Sequence, residues 1–86
     1  MEDRILHVNG VRYVRDYILE IDFDDGTTKA VNIEPLLTGP VFEPLKDKEM
    51  FSRIVVDPVS RTVVWPNGAD LAPEALFQLP AVERVA

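Results

Sequence analysis

Five carboxylates crowd into ten residues of this chain: Asp16, Glu20, Asp22, Asp24 and Asp25. Acids at that density could ligate a divalent cation or divide acid and base roles between them. An EF-hand calcium loop wants Asp or Asn at positions one, three and five, Gly at six and a bidentate Glu at twelve, all between two helices. The nearest frame starts at Glu20 and sets Asp22 and Asp24 at three and five, but it puts Asp25 where glycine belongs and Val31 where the glutamate belongs. The calcium-loop reading therefore fails. Leu19, Ile21 and Phe23 alternate with Glu20, Asp22 and Asp24, the period of two that a half-buried strand requires. On one strand face the three acids stand ~6–7 Å apart. That spacing supplies at most three ligands for a weakly held ion, and it equally describes a solvated face, so no dedicated metal site is expected.

Other reactive residues are sparse. His7 is the only histidine and lies near the N-terminus, so it reads as a surface or strand-edge residue rather than half of an imidazole-based site. Ser52 and Ser60 are the only serines, and neither stands in a G-x-S-x-G elbow. The four glycines are scattered singly at 10, 26, 39 and 68, which leaves no phosphate-binding loop. The segment Trp65-Pro66-Asn67-Gly68-Ala69-Asp70-Leu71 is the most idiosyncratic. Its residues suit a turn covered by an aromatic ring, and an aromatic beside polar turn residues is also the composition of a binding hot spot. Glu20, Asp22, Asp24, Trp65, Asn67 and Asp70 are thus the candidate partner-binding residues.

The elements that must carry these residues follow from periodicity and punctuation. Val11–Val14 reads as a strand, Arg15-Asp16-Tyr17 as a turn or bulge, and Ile18–Phe23 as a second strand. Asp24-Asp25-Gly26 supplies hairpin chemistry, and Thr27–Ile33 returns as a third. Glu34–Leu37 is a helical turn opened by Pro35, and Asp47 caps a short helix through Phe51. Ile54–Val56 and Thr62–Trp65 form a second hairpin around Asp57–Arg61. Asp70 or Ala72-Pro73 then opens a last helix, Glu74–Leu79. The expected fold is α+β: a small antiparallel sheet, built of a three-stranded meander plus a second hairpin, with short helices on one face. The opposite face should carry Arg12, Glu20, Asp22 and Lys29. Val11–Val14 and Thr62–Trp65 are the candidate edge strands through which two copies could pair.

Length and composition bound what such a fold can do. The chain has 86 residues, 47% of them hydrophobic and 28% charged, seven prolines, no cysteine and a formal charge of −6. It is one domain, 1–86, too short for two. A domain this small buries roughly 60% of the surface its unfolded chain exposes, which leaves few apolar residues to line a deep pocket. Fifteen acids against nine dispersed basic residues oppose direct nucleic-acid binding. Without cysteine there is no disulfide framework or thiol nucleophile, and no run approaches the ~18 apolar residues of a membrane span. The N-terminus, Met1-Glu2-Asp3-Arg4, lacks the basic start of a signal peptide, so a cytoplasmic location is expected.

Three stretches resemble a widespread family of short bacterial proteins of unknown function: Phe23-Asp24-Asp25-Gly26, the run from Phe42 to Asp47 followed by Phe51, and the run from Val63 to Leu71. The match extends from about Val11 to Phe77. Arg61 departs from it, because that turn position is often glycine in such proteins. The resemblance implies an α+β fold. It also implies longer relatives fused to a repressor-like helix-turn-helix, and short relatives encoded beside a second small protein in an arrangement like a toxin–antitoxin pair. It brings no catalytic residues.

The resulting expectation is a non-enzymatic interaction module without a cofactor, the antitoxin-like or regulatory member of a two-protein system. Its partner would be a protein, encoded by an adjacent gene. The alternative is a small ligand- or metal-binding domain using the acidic hairpin, and a homodimer is a third arrangement.

Overall fold

The computed structural model describes residues 5–82. Two antiparallel sheets of three strands each, joined by short helical segments, make an α+β fold. In the first sheet β1 (Val8–Arg15), β2 (Ile18–Phe23) and β3 (Thr28–Asn32) lie in the order β1-β2-β3. In the second, β4 (Val55–Asp57), β5 (Thr62–Val64) and β6 (Asp70–Leu71) lie in the order β4-β5-β6. Between the sheets run two 3-10 turns, Glu34–Leu36 and Glu43–Lys46, and helix α1 (Lys48–Phe51); helix α2 (Pro73–Phe77) follows β6.

The alternation in β2 is realised as expected. Leu19, Ile21 and Phe23 are buried while Glu20 and Asp22 face outward. Val31 of β3 and Ile33 just beyond its end join them, and Leu37, Leu45, Phe51 and Leu76 come from the helical connections. Each such aliphatic or aromatic side chain contributes about 1.5–3 kcal/mol on leaving water. Asp47 caps α1 by accepting the Glu49 N–H at 3.1 Å. Trp65 is 2% exposed and knits the halves together. Its indole N–H donates to the Phe51 carbonyl at 2.9 Å, and its ring lies 5.7 Å from Phe51 and 6.4 Å from Phe42.

Several expectations are corrected. The single sheet of meander plus hairpin is two separate sheets, and the second has a third strand. Gly68, at φ +89°, lets the chain reverse so that its N–H donates to the Trp65 carbonyl and the Trp65 N–H to the Ala69 carbonyl, both at 2.9 Å. Asp70 and Leu71 then return along β5. A two-residue strand carries no legible period. Asp70 therefore does not open the last helix; Ala72 is the N-cap, without a side-chain bond, and Pro73 occupies the first turn. Thr62–Trp65 is no edge either, because β5 has neighbours on both sides. Lys29 leaves the outer face for the rim above α2, where its ammonium donates to the Phe77 carbonyl and stands 5.0 Å from the Phe77 ring. β1 begins three residues earlier than expected, at Val8. Gly10 sits opposite Asp22, and a Cβ there would come within 3.1 Å of the Asp22 carboxylate, so a glycine keeps that position clear.

The β4–β5 turn is held by Asp57, which accepts from the Val59 and Ser60 N–H groups and the Ser60 hydroxyl. These bonds, the hydroxyl first, hold the Asp57 carboxyl below the ordinary carboxylate value. Arg61 closes the turn at φ +58°, a left-handed conformation that a side chain disfavours. Arg61→Gly is expected to stabilise the fold by about 1 kcal/mol in urea unfolding, since glycine adopts that φ without a Cβ clash. Trp65→Phe is expected to cost about 2 kcal/mol in the same assay, because the buried Phe51 carbonyl loses its donor.

Candidate functional site

The acidic segment is folded into a set of ion pairs and hydrogen bonds. Antiparallel register sets Arg12 directly across from Glu20, with Asp22 diagonal to it. The Arg12 Nε–H donates to Glu20 at 2.7 Å, and its two terminal nitrogens fork onto Asp22 at 3.0 and 2.9 Å. The Thr28 hydroxyl, one strand over, adds a bond to Asp22 at 2.8 Å. Bidentate guanidinium–carboxylate pairing of this kind is among the stronger charge-assisted arrangements, although both partners remain partly in water. The fork, and after it Thr28, hold the Asp22 carboxyl below its ordinary value, while Asp22 and then Glu20 raise Arg12.

Asp24 turns elsewhere. It accepts the His7 backbone N–H at 3.2 Å, and its second oxygen lies 3.2 Å from His7 Nδ1. Asp25 accepts the Thr27 N–H at 2.9 Å and shapes the hairpin. Glu20 and Asp22 thus converge on Arg12 while Asp24 lies apart with His7, and the described residues contain no group of three or more acids and histidines placed to hold a metal ion. The candidates of the Trp65 segment are dispersed as well. Trp65 lies in the core rather than on a partner-facing surface. Asn67 is bound into the turn, its amide donating to the Val41 carbonyl at 3.0 Å and its oxygen accepting the Ala69 N–H at 3.1 Å. Asp70 is exposed on β6, across from Val64.

The structure assembles a different concavity, whose components lie far apart in the chain. A notch of about 300 Å³ is lined by Asp16 and Tyr17 of the β1–β2 turn, Ile18, Asn32, Glu34 and Lys48. Asp16 adopts φ +48° in that turn, a left-handed conformation that aspartate tolerates better than most residues. The Lys48 ammonium, from the first residue of α1, donates to Asp16 at 3.3 Å and stands 5.6 Å from the Tyr17 ring centroid. Asp16 raises the Lys48 pKa. The Tyr17 ring is fixed edge-on to Phe51 at 5.3 Å, and its hydroxyl donates to the Lys46 carbonyl. No sequence signal marks this site, because Asp16 and Lys48 stand 32 residues apart and neither lies in a motif.

The outer-face pairing has a measurable signature. Arg12→Gln should move the Asp22 titration, followed by carbon NMR of its carboxyl, up toward the ordinary carboxylate value. A depressed carboxyl contributes stability that is present above its unfolded-state pKa and lost as pH falls through its folded-state pKa. The stability difference between wild type and variant should therefore be present at neutral pH and shrink as acid protonates Asp22.

Comparison with known proteins places this geometry in context. No curated protein matches the chain at a significant level. A crystal structure from Nitrosomonas europaea ATCC 19718, bearing the name "Putative DNA Binding Protein", superposes with a TM-score of 0.77 at 18% identity. The alignment covers 92% of this chain and 52% of that one, so the present chain spans about half of its neighbour's length. At that identity the likeness is one of fold. A family profile described as a protein of unknown function, DUF2442, matches residues 8–79. That span takes in both sheets and both α-helices: the chain belongs to the DUF2442 family.

Proposed function

We propose that this chain is a non-enzymatic protein-interaction module, the antitoxin-like or regulatory member of a two-protein bacterial system whose partner is encoded by an adjacent gene. The observation that carries this reading is the distribution of charge. On the outer face and its turn Asp16, Glu20 and Asp22 are paired with Arg12, Arg15 and Lys48, which orders the charged groups there. Across the whole chain acids outnumber basic residues by six. Such a surface steers and selects a basic protein partner, since complementary charge mainly gives specificity and fast association. The carboxylates are also occupied in holding cations and turn amides, which argues for a shaped surface over an acid–base pair.

A second reading comes from the Nitrosomonas europaea protein, whose name assigns it to DNA. In this chain the net charge of −6 works against phosphate contacts, so a role near DNA would run through a protein partner.

Co-expression with the adjacent gene's product, followed by affinity capture, tests the module. The expected result is a stable complex at ~0.15 M salt that weakens as salt screens the charges. Glu20→Lys with Asp22→Lys should weaken capture and, by breaking the Arg12 pairs, lower the thermal midpoint. Arg12→Gln, which breaks the same pairs but leaves the surface more acidic, should not weaken capture, which separates charge from folding. Capture of nothing, with no effect of co-expression, would overturn the reading. Retention of duplex DNA by the isolated chain at the same salt would favour direct DNA binding instead.

A further inference from the structure

We propose that the notch between the β1–β2 turn and α1 receives an arginine side chain from a basic segment of the protein partner, with Lys48 as its displaceable internal substitute. The proposal rests on the interaction-module reading and names the chemistry by which that module would hold its partner.

The walls of the notch are those of a cation site. Asp16 and Glu34 supply two carboxylates and Tyr17 supplies an aromatic face. A single cation, Lys48, touches both Asp16 and the ring face. Asp16 is paired with Arg15 at 3.2 Å as well as with Lys48, whereas Glu34 has no cationic partner among the described residues, so Glu34 is the carboxylate open to an incoming cation.

The Lys48–Asp16 pair is easily exchanged. Its two side chains are 55% and 56% exposed, and ion pairs that open to water contribute little and break readily. The platform beneath it does not depend on Lys48. Tyr17 is held from behind by Phe51 and at its hydroxyl by the Lys46 carbonyl, so the ring keeps its orientation when the ammonium swings out.

Arginine suits this frame better than lysine. A guanidinium stacks on an aromatic face while its fork bonds carboxylates at its edge, whereas an ammonium is a compact point charge. About 300 Å³ lies at the small end of ligand pockets, enough for one side chain and too little for a nucleotide or cofactor.

The test is an NMR titration of the full chain with the blocked tripeptide Gly-Arg-Gly, run beside its lysine and citrulline counterparts. The arginine peptide should produce saturable shifts at the Tyr17 ring and the Lys48 side chain, with Kd on the order of millimolar. Lysine should bind several-fold more weakly, and citrulline, which keeps the shape but lacks the charge, should not saturate. Lys48→Met removes the internal competitor and should tighten arginine binding several-fold, while Glu34→Gln should weaken it by a similar factor. Equal shifts with citrulline, or binding that Lys48→Met weakens or leaves unchanged, would overturn the proposal. Arginine binding without any captured partner would leave the notch standing and remove the module; a captured partner without arginine binding would do the reverse.

Discussion

The hydrogen bond from the Trp65 indole to the Phe51 carbonyl is the contact on which the two halves of this domain depend. Neither sheet could bury its apolar face alone, since three short strands expose too much surface for their core. Trp65, at the end of β5, reaches the last residue of α1, and Phe51 in turn meets Tyr17 and Tyr13 of the first sheet edge-on at 5.3 and 5.9 Å. One aromatic column therefore runs from the second sheet through α1 to the first. The indole N–H finds its acceptor at the buried end of the column, so the polar atom that tryptophan brings into the core is satisfied. The same column orients Tyr17, and through it the notch that Asp16, Glu34 and Lys48 line.

Electrostatics are organised on a second principle. An acidic chain would repel itself along β2, where Glu20 and Asp22 stand on one face, but Arg12 on the neighbouring strand lies between them and neutralises part of the row. Gly10 leaves the room this arrangement needs. Asp24 ties the chain before β1 to the end of β2 through His7, whose own carbonyl accepts the Asp24 N–H at 2.9 Å. Local acidity is thereby converted into cross-strand and hairpin bonds.

Much of this was legible from residue order. The alternation of Leu19, Ile21 and Phe23 with Glu20 and Asp22 named both faces of β2, and Asp47 before Lys48-Glu49 announced the cap of α1. Asp24-Asp25-Gly26 announced the hairpin. The 3-10 turn Glu43–Lys46 and strand β6 were not legible, because four and two residues are too few for a period to emerge. Lys29 was misplaced for a different reason. Its position in β3 puts it on the core-side face, and only the approach of α2 shows that a lysine at that rim can bury its stem and still reach a carbonyl.

What the sequence by itself determined is local: which residues turn, which alternate, where one helix is capped, and that the chain carries more acid than base. These follow from short-range sterics and from a hydrophobic period that neighbours in the chain share. Tertiary structure alone decided that the strands divide into two sheets, that Trp65 is buried in the core, and that Asp16, Glu34 and Lys48 meet around Tyr17. The reason is physical. Contacts between residues tens of positions apart depend on how the elements pack to bury Phe51 and Trp65 together, and no local pattern encodes that packing.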